Sequence, residues 1–195
     1  MPTLFLLDTN AYFHFFRNPK TRSQSETQLY THLVQKLQEG GVISFYISEI
    51  TSMEIHSVLG KYRRGSPAQR QQCEREIVAS SEGIKCSNVW VFPRSKPMKP
   101  KVFRDMQKLI SDIEASKGSI QAAILRLDQA SIDRAKKLLL RYADRYNLGS
   151  HDALVGGSLI VAREKGMDLT LITSDRGFKA VLREESIPFY DPTTP

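Results

Sequence analysis

The run at residues 3–7, Thr-Leu-Phe-Leu-Leu, does not alternate between apolar and polar residues, and it stops on Asp8. A strand with one face in water alternates; a short unbroken apolar run belongs to a strand covered on both faces. Similar strand-like runs return at residues 42–47, 88–92, 169–173 and 187–190. Helical spacing separates them. Leu29, Leu33 and Leu37 mark a helix over residues 25–39, with Gly40-Gly41 as its stop. Ser48 reads as the N-cap of a helix reaching about Lys61, and Ser66-Pro67 as the start of another. Phe103, Met106, Ile110 and Ile113 form one helix face. Ile120, Ala123, Ile124 and Leu127 form a second, with Lys117-Gly118 between, so a helical hairpin is expected there. Ile132, Ala135, Leu138, Leu139 and Tyr142 predict a helix to about Tyr146. Ser150 reads as the cap of one from His151 to Lys165, and residues 178–185 as the last. Short helices at 11–16 and polar loops fill the rest. Strands alternating with helices imply an α/β fold, an open and mostly parallel sheet flanked by helices, because parallel strands need crossover connections.

That geometry says where function can sit. Ligands bind outside the carboxyl ends of such strands. Asp8 follows the first strand at once, and Asp175 follows the 169–173 strand by two residues. Asp152 stands in the first turn of the helix that feeds that strand, and Glu54 lies under two turns into the helix leaving the 42–47 strand. Four acids from separate segments are thus expected on one rim. Any one of them has a plainer use as a cap, a turn former or a solvated charge. Together they repel unless something cationic lies between them. Oxygen donors without partnering cysteines suit Mg²⁺ or Mn²⁺ rather than zinc. Such a site can activate water for an in-line phosphodiester displacement.

Charge points to the same class of substrate. Lys and Arg number 28 against 21 Asp and Glu, a formal net charge of +7. With four acids drawn into one place, the remaining surface is more basic still, and such a field favours polyanions. The two cysteines, Cys73 and Cys86, fit no zinc pattern and no disulfide framework, and the N-terminus has no charged leader before its apolar run. A reduced, cytoplasmic setting without a membrane is the expectation. The longest apolar stretch, residues 153–162, is broken by Gly156, Gly157 and Ser158 and is short of the roughly 20 residues a membrane span needs.

Leu6-Leu7-Asp8-Thr9-Asn10 resembles the first acidic motif of the PIN-domain family, and within it of VapC-like ribonuclease toxins. Residues 48–55 (Ser-Glu-Ile-Thr-Ser-Met-Glu-Ile) are similar to its second motif, His151-Asp152-Ala153-Leu154-Val155 to its third, and residues 171–178 (Leu-Ile-Thr-Ser-Asp-Arg-Gly-Phe) to its fourth. Residues 187–192 look like its closing strand. The resemblance covers roughly residues 3–59 and 130–192. It implies a single PIN-like domain over 1–195 and Mg²⁺- or Mn²⁺-dependent cleavage of single-stranded RNA. Asp8, Glu54, Asp152 and Asp175 are then the metal-binding and catalytic residues, with Asn10 and Thr173 supporting them by hydrogen bonds. It further implies the toxin of a toxin–antitoxin pair, with an antitoxin protein as partner and a homodimer as a common state. Two departures stand out. Residues from about 60 to 129 form a longer helical and basic insertion, and Gly156-Gly157 stand where residues such as alanine are commoner.

Arg17, Lys20, Arg22 and Arg176 are the cations best placed for RNA phosphates, and the connector at 93–101 carries Arg94, Lys96, Lys99 and Lys101 with no acid among them. His151 neighbours Asp152, but a first-turn histidine is more often merely exposed; His14, His32 and His56 suggest no metal triad. A haloacid-dehalogenase-like phosphotransferase needs a second acid where this chain has Asn10. A dinucleotide-binding fold needs a glycine-rich turn where it has Asp8-Thr9-Asn10. The rival from another class is a catalytically silent PIN-like module that binds RNA or a protein.

Overall fold

The computed structural model describes residues 4–16, 20, 22–39, 44–65, 69–72, 89–92, 96–117 and 121–194. The chain divides into two compact units, one of residues Met1–His56 with Lys108–Pro195 and one of Ser57–Gln107.

The larger unit is built on a five-stranded, all-parallel sheet flanked by helices, an open α/β/α arrangement. Its strands are β1 (Leu4–Leu7), β2 (Ser44–Ser48), β5 (Gln121–Leu125), β6 (Leu169–Ile172) and β7 (Phe189–Tyr190), in the order β5-β2-β1-β6-β7. The central strand is the unalternating apolar run. Phe5, Leu6 and Leu7 are all buried, as both-face coverage requires. Leu6 faces a core of Leu138, Leu159, Phe178 and their neighbours from α5 (Gln129–Tyr146), α6 (Ser150–Glu164) and α7 (Arg176–Glu184). On β2, Phe45 meets Phe15 and Phe16 of α1 (Thr9–Phe16), which runs on towards α2 (Gln24–Leu37). From β1 the chain adds β2 and β5 on one side, then crosses through α5 and α6 to place β6 and β7 on the other. The order therefore reverses between β1 and β6, and a crevice opens at the carboxyl ends of strands at such a point.

Helix starts follow local chemistry. Ser23 caps α2 in a reciprocal box with Glu26, one residue earlier than the leucine spacing suggests. Ser48 closes β2, and its hydroxyl accepts from Thr51 N at 2.9 Å, so it also caps α3 (Glu49–Arg64). The cap of α6 is Gly149, not Ser150, which is already helical. The expected second arm of a helical hairpin at 120–127 is instead β5. Its run Ala122-Ala123-Ile124-Leu125 satisfies helical spacing by count, yet parallel pairing with β2 provides the backbone partners. The C-terminal end of the expected insertion is thus the edge strand of the main sheet.

In the smaller unit, β3 (Gln69–Gln72) pairs antiparallel with β4 (Val89–Phe92). Residues 69–72 had been expected in a helix from Ser66-Pro67, whose start lies outside the described residues. A four-residue stretch of Gln and Arg has no apolar helical stripe, and pairing with β4 decides its conformation. The helix predicted from Phe103, Met106, Ile110 and Ile113 is present as α4 (Pro100–Glu114), which ends in the larger unit. No helix among the described residues is long and apolar enough to cross a membrane.

Candidate active site

Asp8 sits where β1 ends. Its N–H donates to the Ile172 carbonyl at 3.1 Å, continuing the β1–β6 ladder, and its own carbonyl accepts from Tyr12 N at 2.9 Å as α1 begins. The side chain therefore emerges at the mouth of the crevice. It is fixed by three donors: Thr9 N to Oδ1 at 2.7 Å, Asn10 Nδ2 to Oδ2 at 2.8 Å, and Thr173 Oγ1 to Oδ2 at 2.7 Å. Asp8 is 6% exposed. Burial pushes its carboxyl up to about 6, against the hydrogen bonds from Thr173 and Thr9, and the charges of Asp152 and Glu54 push it the same way.

The other acids reach this place from separate elements. Glu54, on the second turn of α3, accepts a hydrogen bond from Thr9 Oγ1. Asp152, at the start of α6, is raised by burial and then by the charge of Asp175. The Gly149 N–H and the neighbouring His151 draw it down, while Glu54 pushes it up again. Asp175 is exposed and caps α7, accepting from Phe178 N at 2.6 Å. The four carboxylates are thus linked by mutual repulsion, with Asp152 feeling both Asp175 and Glu54. No lysine or arginine among the described residues forms an ion pair with any of them.

Asn10 and Thr173 tie the rim together. Asn10 Oδ1 accepts from Ser174 N at 3.3 Å, and Thr173 Oγ1 accepts from Asp175 N at 3.1 Å while donating to Asp8. Thr9 was missed by the sequence reading. Its backbone serves Asp8 and its hydroxyl serves Glu54, so it is the direct link between two acids. The only signal was its place inside the Asp8-Thr9-Asn10 turn.

The expected cations are distributed differently. Arg17 lies outside the described residues. Lys20 is exposed. Arg22 is engaged in the fold: its Nη2 donates to the Phe15 carbonyl at 3.2 Å, and its guanidinium lies 3.6 Å from the Tyr30 ring centre. Arg176 is exposed as the first residue of α7, next to Asp175. Of the histidines, His32 Nδ1 lies 3.2 Å from the Pro192 carbonyl and His56 Nε2 lies 3.0 Å from Glu114.

In kind, the donors fit a hard divalent cation, since all are carboxylate oxygens and no thiolate stands among them. In placement, no three His, Cys, Asp or Glu side chains among the described residues are grouped so as to hold a metal ion. The acids meet through their fields, not around one shared centre. No family model matches the sequence, and no curated protein is significantly similar to it.

Proposed function

We propose that this chain is a metal-dependent endoribonuclease of the PIN-domain type that cleaves single-stranded RNA. The observation that supports it is the convergence of Asp8, Glu54, Asp152 and Asp175 on the β1–β6 crevice, with Asp8 pushed up to about 6 and, among the described residues, no lysine or arginine paired with any of them and, of the basic side chains, only His151 drawing Asp152 down. On this reading Asp8, Glu54, Asp152 and Asp175 would be drawn together around Mg²⁺ or Mn²⁺, which would supply Lewis-acid activation of water and neutralise charge at the phosphate. Asp8, held by three donors, is the fixed ligand. Thr9 keeps Glu54 turned towards it, and Thr173 and Asn10 keep the β6 side of the crevice in register. Asp175 is the exposed member and faces the substrate. Toxin action is the setting the resemblance implies: expression should arrest growth, and Asp8→Asn should relieve the arrest.

The deciding experiment incubates purified protein with total RNA, with and without Mg²⁺ or Mn²⁺, and maps the ends produced. New ends should appear only with metal and vanish in Asp8→Asn. That no three-ligand group is ready-made among the described residues favours a second reading, a silent module that binds RNA or a protein. RNA that is bound but never cut, at any metal concentration, would establish that reading instead.

A further inference from the structure

Helix α7 leaves the acidic rim at Asp175, and one stripe of it is cationic. Arg176, Ala180 and Arg183 follow at spacings of four and three and so share a face. The end of α5 packs directly beside that stripe: a Cβ at Gly177 would lie 2.5 Å from the Tyr146 carbonyl oxygen. Along this seam runs an open groove lined by Tyr146, Ala180, Arg183 and Glu184. Its one acid is already satisfied, because Glu184 accepts from Tyr146 Oη at 2.8 Å and lies 3.6 Å from Arg145 Nη2. Neither Arg176 nor Arg183 forms an ion pair among the described residues, and Arg183 rests 5.1 Å from the Phe189 ring centre.

The feature of this unit that gathers more cations lacks that property. A cavity of about 290 Å³ near the C-terminal ends of α6 and α7 is lined by Arg134, Lys137, Arg141 and Arg163 among others. Three of those four cations are tied to Glu164, Glu185 and Asp168. It also lies near the opposite end of α6 from Asp152, about 16 Å away by helical rise.

We propose that the α5–α7 groove carries the sugar-phosphate backbone of a single nucleic-acid strand away from the acid centre, with Arg176 and Arg183 each contacting a phosphate. This rests on the nuclease reading of that centre. The two arginine Cα atoms stand about 10 Å apart along the helix, in line with Asp175. Cations in one row, over the small floor of Ala180, match one backbone, whereas a duplex presents two. Charge-assisted Arg–phosphate contacts hold the strand without reading its bases.

The test uses Asp8→Asn protein without divalent ions and a labelled single-stranded oligoribonucleotide, with binding followed by anisotropy across a salt series. Arg176→Gln with Arg183→Gln should weaken binding and lower the log–log salt slope by about 1.4, two contacts at about 0.7 each. Arg176→Lys with Arg183→Lys should keep most of the slope. Lys136→Gln with Lys137→Gln, exposed on α5 and outside the groove, removes the same charge and should change little. Equal loss in the two glutamine pairs, an unchanged slope, or tighter binding of a paired duplex of the same length overturns the path. Cleavage is scored separately in the Asp8 protein. A strand bound in the groove but never cut sinks the nuclease reading and leaves the path. A strand cut with KM unaltered by the double substitution sinks the path and leaves the nuclease.

Discussion

Asp8 is a carboxylate whose folded environment disfavours its charge, and this gives it a pH signature. Its value near 6 is above the ordinary 3.8, so the folded state binds the proton more tightly than the unfolded chain. Stability from this group is therefore greatest below about pH 4 and is lost as pH rises through 6, by about 3 kcal/mol for a shift of this size. Asp152 is raised as well and works in the same direction. Asp128 and Asp191 are lowered, so their contribution is lost only at more acid pH. Metal-free protein should accordingly melt higher at pH 5 than at pH 7, and Mg²⁺ or Mn²⁺ at pH 7 should recover part of the difference. In Asp8→Asn the pH 5 to 7 difference should shrink. That variant removes the repulsion but sets an amide against the Thr9 N–H, so it should stay folded with a similar melting temperature while cleavage disappears. A metal-stimulated Asp8→Asn enzyme with wild-type activity would falsify the site assignment. Thr9→Val tests the residue that the sequence left unmarked. Loss of its hydroxyl frees Glu54, so cleavage should fall while overall stability changes by about 1 kcal/mol.

The crossing of α5 and α6 decides whether Asp152 is correctly delivered. At Gly157 an added Cβ would lie 2.9 Å from Ala135 N and closer still to the Ser131 carbonyl oxygen, both backbone atoms of α5. At Gly156 it would meet Leu138 Cδ1 at 3.0 Å and Phe178 Cε2 at 3.3 Å, which are side chains able to shift. Gly157→Ala should therefore destabilise by about 1–3 kcal/mol or more, despite alanine's higher helix propensity. Gly156→Ala should be markedly milder, and urea denaturation of the two variants makes the comparison. Equal effects would mean that the helices are free to separate. The end of the sheet has its own fastening in the part-buried ion pair of Lys179 on α7 with Asp191 after β7. Lys179→Met leaves that carboxylate with only its Thr193 donors and should cost about 1–3 kcal/mol. The companion Lys179→Met with Asp191→Asn should regain a large part of it.

For the molecule as a whole, the net charge of +7 favours nonspecific, salt-dependent attraction to polyanions, so in any binding test position and slope carry the information. Lys96, Lys99 and Lys101 of the connector are exposed, and Arg94 lies outside the described residues. Changing all four to Ser or Gln should weaken RNA binding and reduce the slope by about 0.7 for each phosphate contact removed. An unchanged slope assigns these charges to solubility or to a protein partner. Metal dependence belongs to this scale too. Activity should require Mg²⁺ or Mn²⁺, fall away in chelator and not be restored well by Zn²⁺, because the donors are hard oxygens. Full activity after exhaustive chelation would leave the carboxylates without the role given to them.

The parallel sheet was legible because a run such as Leu4–Leu7 can be buried on both faces only if crossover helices cover it, and the carboxyl-edge position of Asp8 follows from that alone. Chain order also located Asp152 and Asp175, since a helix feeding a parallel strand starts where that strand ends. Residues 120–127 were not legible: four apolar side chains satisfy a helical count and a short strand equally, and only the open edge of β2 chose between them. Residues 69–72 took their conformation from β4 for the same reason, as non-local pairing overrides weak local preference. At the site, residue types and their order suggested the chemistry, but which donors hold Asp8, the hydroxyl bridge from Thr9 to Glu54 and the capture of Arg22 by Phe15 and Tyr30 depend on distances across separate segments. Local sequence fixes what a side chain can donate or accept; packing alone decides which partner comes within reach.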